Sequence, residues 1–519
     1  MSSISAAGAG TRSKSLVLAA MIFAVAMTFI DQTIVSIAAP AIQRDLGLSS
    51  SGIQWAINAY LLALAALFAY GGRLADIAGH RRMVVLGVII FAGASALCGA
   101  TPRGGGAEAW LIACRAVQGA GGAIMFPAAI AIVVATFDLR SRGRALALFF
   151  GIAGGLTSVG PILGGVLTQW TWRAIFWVNI PVAVIALILI VISRPVTLHR
   201  PARMDYRGLA LIVPGVALSV FGFQQSVVWG WSNPATGATI AVGAALLVGF
   251  YFLELRTPEP LIEMKIFRIR AFLVENLVLA IAMLVFIPLF FVASEYAQIA
   301  LGKKPGEAGL YILYFFIGFV VAAQIGGRML DRRGAKPPVV IGCGIAAVGF
   351  WLWARKLTGL SFHAQQEYII LAGAGVGLML GTANTDAVNR ATRLSYGEAT
   401  GITQTVRNYA ASLGLAILGT ILVSQMRSRL TTSLAGMGLS HARAHSEAVR
   451  ISQSRAGGGS IESIPHFVRL DFAYATRSVM YAMAAIMAVA MIVALVGLQR
   501  GVQQEPEAAE GDPEGAVLA

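Results

Sequence analysis

The stretch GGRLADIAGHRR, Gly71 to Arg82, sets one acidic residue, Asp76, among Arg73, Arg81, Arg82 and His80 in a chain of which only 12% of residues are charged. Nearly the same phrase, GGRMLDRRGAK, returns at Gly326 to Lys336. Aligning Gly72 with Gly327 gives an offset of 327 − 72 = 255 residues, close to half of the 519-residue chain. The two phrases are therefore copies within an internal repeat, and parallel halves of this kind are a recurrent plan of secondary transporters.

The surrounding sequence fixes the environment. With 57% hydrophobic residues and a mean hydropathy of +0.76, the chain carries more apolar surface than globular cores can hide. Apolar runs of about 20 residues, enough helix to cross the hydrocarbon core, alternate with short charged connectors. Fourteen can be drawn, near 15–38, 53–71, 83–101, 108–135, 144–168, 173–193, 207–227, 236–255, 271–297, 305–327, 337–354, 367–388, 398–424 and 474–498. The expected fold is an all-α polytopic membrane protein of two six-helix bundles plus two inserted helices. Its segments are an amino-terminal cytoplasmic stretch (1–14), a first bundle (15–200), the inserted pair (201–258), a second bundle (259–500) and a disordered acidic tail (501–519). The first run continues through Asp31 with no small-residue cleavage site, so it reads as a retained helix rather than a signal peptide. Glycine reaches 58 residues; Gly151 with Gly155, and Gly373 with Gly377 and Gly381, keep the small-xxx-small spacing of close helix packing.

A net charge of +15 and a pI near 10.2 would suit a nucleic-acid binder, but the basic residues lie in short loops rather than one stripe, and no nucleic-acid partner is expected. They give orientation instead. With a cytoplasmic amino terminus, the inner segments hold most of them, including Arg73, Arg81, Arg140, Arg142, Arg144, Arg328, Arg332 and Arg333. The short outer loops hold only Arg44, Arg103, Arg173, Lys303, Lys304, Arg355 and Lys356. The positive-inside bias thus puts both termini in the cytoplasm. Cys98, Cys114 and Cys343 all fall within spans and offer no disulfide or zinc pattern. Met426 to Phe472, polar and interrupted by glycine, reads as an outer loop with one or two amphipathic helices, either docking a periplasmic or cell-wall partner or serving as lid or spacer.

Further phrases join the charged repeat. DQTIVSIAAPAI (Asp31 to Ile42) lies in the first span, RAVQGAGGA (Arg115 to Ala123) in the fourth, GIAGGLTSVGPILGG (Gly151 to Gly165) in the fifth, and TWRAIFWVNIP (Thr171 to Pro181) opens the sixth. Together with GGRLADIAGHRR they resemble, in order and position, the signatures of the major facilitator superfamily and of its fourteen-span drug:proton antiporter branch. The resemblance covers almost the whole chain. One departure concerns the tenth span, where GLYILYFFIGFV lacks a proline common at that place in related sequences, which bears on the shape of that helix.

Residue chemistry stands beside the resemblance. In the charged turn, Gly72 and Gly79 permit close approach and sharp reversal, and Asp76 can accept hydrogen bonds from a helix amino terminus across the domain interface. The resemblance implies a cytoplasmic latch of Asp76 and Arg81 that holds the outward-open state, with Gly327, Asp331 and Lys336 as counterparts in the second half. The alternative is a set of anchoring charges. Asp31 and Arg115 are ionisable groups inside spans, each costing roughly 3 kcal/mol or more unless paired or hydrated. An acid held between burial, which favours its neutral form, and a guanidinium, which favours its charged form, can load and release a proton. The resemblance implies that Asp31 carries the proton while Arg115 and Gln118 tune it; the alternative is a buried ion pair that only fixes packing. In the fifth span, Gly151, Gly155, Gly160, Gly164 and Gly165 bare one helix face and Pro161 removes a backbone donor. The resemblance assigns that pattern to exporters, against a generic packing seam.

Other polar residues within spans are candidates for the substrate path. Glu295 and Gln298, with Tyr296, lie toward the outer end of the ninth span, as attractants for a cation or as an exposed rim. Glu275 and Asp386 lie near cytoplasmic ends, where Asp386 can pair with Arg390. Gln404, Arg407 and Asn408 share one face, which favours an interdomain polar contact over ligand binding. Trp55, Asn58 and Tyr60 are cavity lining or interfacial anchors. Three functional readings follow: a proton-coupled exporter of amphipathic or cationic drugs, dyes, antiseptics or a self-made antibiotic; the same fold moving a lipid, fatty acid, sugar or amino acid; or a membrane enzyme or channel. The last has no GxxxxGK[ST] or HExxH to support it. The first needs no cofactor beyond the proton gradient and can work as a monomer.

Overall fold

The structure is a computed structural model and describes residues 3–137, 139–195, 204–390, 396–453, 464–499 and 501. Among these residues it is helical without a strand. In chain order the helices are α1 (Ser3–Leu46), α2 (Ser50–Ala78), α3 (His80–Gly99), α4 (Ala107–Thr136), α5 (Leu139–Trp170), α6 (Ala174–Trp177), α7 (Asn179–Ser193), α8 (Tyr206–Trp229), α9 (Pro234–Glu254), α10 (Arg270–Glu295), α11 (Pro305–Arg333), α12 (Lys336–Leu357), α13 (Gln366–Arg390), α14 (Tyr396–Gly436), α15 (His441–Gln453) and α16 (His466–Gly497). Thirteen described stretches, with α6 and α7 taken together, are long and apolar enough to cross a membrane. The 32-residue α5 lies between the fourth and the next of them. The chain is a multi-pass membrane protein.

The helices α1 to α7 pack on one another, as do α10 to α14 with α16, while α8 and α9 pair and α8 also touches α2 and α14. Two turns make the repeat physical. Gly79 closes α2 at φ 95° with its N–H on the Ala75 carbonyl, and Gly334, also 255 residues on, closes α11 at φ 78° with its N–H on Leu330. Side chains other than glycine's rarely adopt these angles. Gly334 is absent from the residues singled out by sequence. The close approach expected at Gly72 falls one residue earlier: a Cβ on Gly71 would lie 2.1 Å from the Ala123 carbonyl oxygen, whereas at Gly72 it would meet Pro127 at an ordinary 3.5 Å. The second copy repeats this shift, with Gly326 against the Leu378 carbonyl at 2.5 Å and nothing within 4 Å of Gly327.

Other boundaries differ from expectation. The stretch Met426 to Phe472 is not loop throughout: α14 continues to Gly436 and α16 starts at His466, leaving α15 between them. Ala444, Ala448 and Ser452 are buried on one side of α15, and the Ser452 carbonyl accepts a 2.7 Å bond from Ser50 Oγ at the start of α2. The sixth span is broken into α6 and α7 ahead of Pro181, and the ninth ends in a π-turn over Tyr296–Ala300. Consistent with its lack of an internal proline, α11 runs unbroken for 29 residues. The acidic tail beyond residue 501 and the 196–203 connector lie outside the described residues.

In lipid, helices gain little by burying apolar surface against each other, so close contact through small residues carries much of the packing. A Cβ on Gly373 or Gly377 would lie 1.9 or 2.1 Å from the carbonyl oxygens of Phe315 or Phe319 on α11. Gly381 departs from the expected seam, with nothing within 4 Å. The surroundings of Gly151 and Gly155 lie outside the described residues. Gly373→Ala and Gly377→Ala should each cost about 1–3 kcal/mol by overpacking, and Gly381→Ala less than about 0.5 kcal/mol. Thermal unfolding of the detergent-purified variants checks the order.

Candidate functional site

The site starts from the glycines of RAVQGAGGA, which let α4 approach its neighbours. A Cβ on Gly119 would lie 2.5 Å from the Tyr60 carbonyl oxygen on α2, and one on Gly122 would lie 3.3 Å from Thr28 on α1. The approach brings Arg115 and Gln118, one turn apart on α4, onto Asp31 midway along α1. Arg115 Nη1 donates to Asp31 Oδ2 and, at 2.7 Å, to Gln118 Oε1. Gln118 Nε2 donates to Asp31 Oδ1 at 2.9 Å, so both carboxylate oxygens are occupied. Arg115 Nε donates to the Ala56 carbonyl at 3.0 Å, and the guanidinium lies 4.4 Å from the Tyr60 ring centroid. Tyr60 is held in turn by its hydroxyl on the Thr28 carbonyl at 3.2 Å. Asp31, Gln118 and Tyr60 are 0% exposed and Arg115 is 1% exposed.

The three residues chosen from sequence therefore form one closed network in which a buried charge pair is supported by further hydrogen bonds, the condition under which such burial is sustained. In this conformer the carboxyl is fully buried, with both oxygens taken by Arg115 and Gln118. Tyr60 belongs to this network rather than to a cavity wall. The α4-facing position of Tyr60 is unreadable from its own sequence neighbourhood.

The motif of the fifth span lies on the seam between the halves. Gly160 and Gly164 pack on α1, where added Cβ atoms would lie 2.0 Å from Thr33 Oγ1 and 2.9 Å from the Ile34 carbonyl oxygen. Gly165 faces Gly306 on α11, and Gly309 sits against the Pro161 carbonyl, where its Cβ would lie 2.5 Å away. Nearby, Gln298 Nε2 crosses from the π-turn to the Ile37 carbonyl on α1 at 2.9 Å. The halves are thus in contact at the end that carries the α1–α2 turn.

At the opposite end, the Asp76 carboxylate meets His80 of its own turn at 3.1 Å, with no partner across the interface among the described residues. Asp331 is exposed. Residues 391–395, which precede α14, lie outside the described residues.

The remaining candidates disperse. Trp55 packs on Phe221 of α8, ring centroids 5.7 Å apart. Asn58 donates to Gln224 of α8 at 2.8 Å and accepts from Ser412 of α14. Both therefore contribute to a seam with the inserted pair. Glu295 is buried at 2% exposure, so it is not a rim carboxylate; Glu275 and Asp386 are buried as well. The Arg390 side chain lies outside the described residues. Arg407 bonds within its own half, to Gln404 Oε1 at 2.7 Å and Asn384 Oδ1 on α13 at 3.3 Å, which corrects the expected interdomain contact. Sequence reading missed a buried cluster in which Gln365 joins Tyr296 at 2.9 Å and Tyr311 at 2.6 Å, with Trp353 Nε1 on the Tyr311 hydroxyl at 3.0 Å. Gln365 sits in a connector whose composition carries no signal for that role.

Two repeated helical bundles, an inserted pair and a charge network buried between α1 and α4 define a secondary-transporter architecture. The chain belongs to the Major Facilitator Superfamily, whose family model matches residues 21–415. It is 32% identical over 413 residues to the tetracenomycin C resistance and export protein of Streptomyces glaucescens, covering 79% of this chain and 76% of that one. Over 405 residues it is 31% identical to the cephamycin export protein CmcT of Amycolatopsis lactamdurans, covering 75% and 81%. Over 441 residues it is 30% identical to the multidrug transporter protein MdtP of Bacillus subtilis, covering 82% and 78%. Among solved structures, the fold is shared with the xylose transporter XylE from E. coli in a partially occluded inward-open conformation, at a TM-score of 0.56 and 11% identity over 92% of this chain and 98% of that one. It is also shared with an inward-facing bacterial homolog of the human lysosomal transporter Spinster, at 0.55 and 18% over 93% and 97%.

Removing one member of the buried pair strands the other. Arg115→Leu should destabilise the protein by about 3–5 kcal/mol, and adding Asp31→Asn should recover a large part of that loss. A thermal double-mutant cycle checks this.

Proposed function

We propose that the protein is a proton-coupled exporter of drugs or related amphipathic small molecules, working by alternating access. The observation that carries the reading is the sealed Asp31–Arg115–Gln118 network. Its carboxyl is isolated in this conformer and sits on α1, the helix against which the glycines of α5 and the amide of Gln298 pack. Rearrangement of the halves would move those contacts and open the acid to one face or the other, and protonation would in turn weaken its hold on Arg115. Differential stability of the two protonation states in the two conformers is what couples a proton to a conformational cycle.

With both termini cytoplasmic, the end joined through Gly165, Gly309 and Gln298 lies outside, which supports reading the conformer as inward-facing. The Asp76–His80 pair then represents the latch in its released form, with Arg81, Asp331 and Lys336 as its other elements. The relatives named for export of tetracenomycin C and cephamycin favour a self-made or encountered antibiotic as cargo, over a nutrient. The proton gradient is the energy source, a single chain suffices, and α15 acts as a lid or spacer, since it packs on α14 and reaches the start of α2.

The test uses inverted membrane vesicles with an imposed pH gradient and a panel including tetracenomycin C, a cephamycin and puromycin. At least one compound should dissipate the gradient only when the protein is present. Asp31→Asn should lower that response by about 100-fold or more, as expected for loss of an essential proton carrier. Gradient-independent or ATP-dependent flux would overturn the reading.

A further inference from the structure

Each half sets an arginine inside a span, one helical turn from a glutamine, but among the described residues only Arg115 has a carboxylate partner. Arg115 has Asp31. Arg407 on α14 has neutral partners alone: its Nη1 is taken by Gln404 at 2.7 Å and Asn384 at 3.3 Å, and Nη2 meets only the Met283 thioether of α10 at 3.9 Å. Its Nε is buried without a hydrogen-bond partner. Among the described residues no carboxylate comes within ion-pair distance. The free edge is therefore Nε with Nη2, the two parallel donors that match a carboxylate bidentately.

A permanent, unpaired guanidinium within a membrane-spanning region is costly unless something compensates it, and such a residue marks a functional site by default. The neighbouring helix α13 leaves part of its surface uncovered. On α13, Gly381 and Thr385 are exposed and Asn384 is partly so, within a span that runs from Gln366 to Ala387. Gly381 has no heavy atom within 4 Å of where a Cβ would be. Arg407 itself is partly accessible although Gln404 and Met283 are buried. Met283 meets Nη2 with a flexible thioether that can give way to a ligand.

We propose that Arg407, oriented by Gln404 and Asn384, is a substrate subsite that takes a carboxylate or similar planar oxyanion, so that the cargo includes acidic compounds and not only cations. This rests on the export reading above. Two charges of opposite function then occupy the two halves: an acid with its base supplied by the protein, and a base whose acid arrives with the cargo.

The experiment compares cells with and without the protein for protection against carboxylate-bearing antibiotics and against lipophilic cations such as ethidium. Wild type should protect against members of the acidic class. Arg407→Gln should reduce that protection by about tenfold or more, the effect of removing one partner of a buried charge pair, while leaving any protection against cations in place. Arg407→Lys should retain part of it. Because Arg407→Gln can fail to fold, Asn384→Asp provides the second arm: it keeps the arginine and supplies a carboxylate next to Nη1, and should abolish protection against acids while the variant remains membrane-inserted at wild-type levels. Unchanged protection in Arg407→Gln or Asn384→Asp, or wild-type protection confined to cations, overturns the subsite. No protection against either class, together with no substrate-dependent loss of the pH gradient in vesicles, overturns the export reading itself.

Discussion

Charge inside a bilayer has to be answered by charge, by hydrogen bonds or by water, and the structure is organised around how that demand is met at Asp31 and Arg115. The two side chains can pair only because α1, α2 and α4 converge, and they converge because Gly119 and Gly122 leave room for the main chain and side chains opposite. Gln118 and the Ala56 carbonyl then take up the remaining polar valence, and the Tyr60 ring covers the guanidinium. Removing the glycines would separate the partners without altering either one. The packing and the chemistry of this site are a single constraint.

The repeat shows how two halves with one plan diverge. Their turns are conformationally alike, since Gly79 and Gly334 close α2 and α11 in the same region of backbone space and Gly71 and Gly326 make the same close approach. Their intramembrane arginines are not alike: Arg115 is paired with a carboxylate, whereas among the described residues Arg407 meets the amides of Gln404 and Asn384 and the Met283 thioether. Main-chain geometry is shared between the halves, while the partners of these two arginines differ.

Much of this was legible in sequence, and for identifiable reasons. Hydropathy placed the spans because a helix must be apolar for about 20 residues to cross a bilayer. The central network was legible because Asp31 and Arg115 are rare types in such surroundings and Gln118 follows at helical spacing. What failed were contacts between distant elements. Trp55 and Asn58 looked like cavity lining, but their partners Phe221, Gln224 and Ser412 lie on α8 and α14, and periodicity within α2 cannot say which helix stands opposite. Arg407 looked like an interdomain contact for the same reason. The break ahead of α15 was blurred because the polar end of α14 remains helical while packed against α15, which overrides local composition.

The inserted pair has a mechanical meaning. Through Gln224 on Asn58, Ser219 on Tyr409 and the Phe223 carbonyl on Thr420, α8 is tied to α2 of one half and α14 of the other. A hinge with only two leaves can swing along that edge freely; here a third body is stitched across it. Separation of α2 from α14 must either carry the α8–α9 pair along with one leaf or shed a row of polar bonds, so these two helices act as a brake on how far and how readily the edge parts.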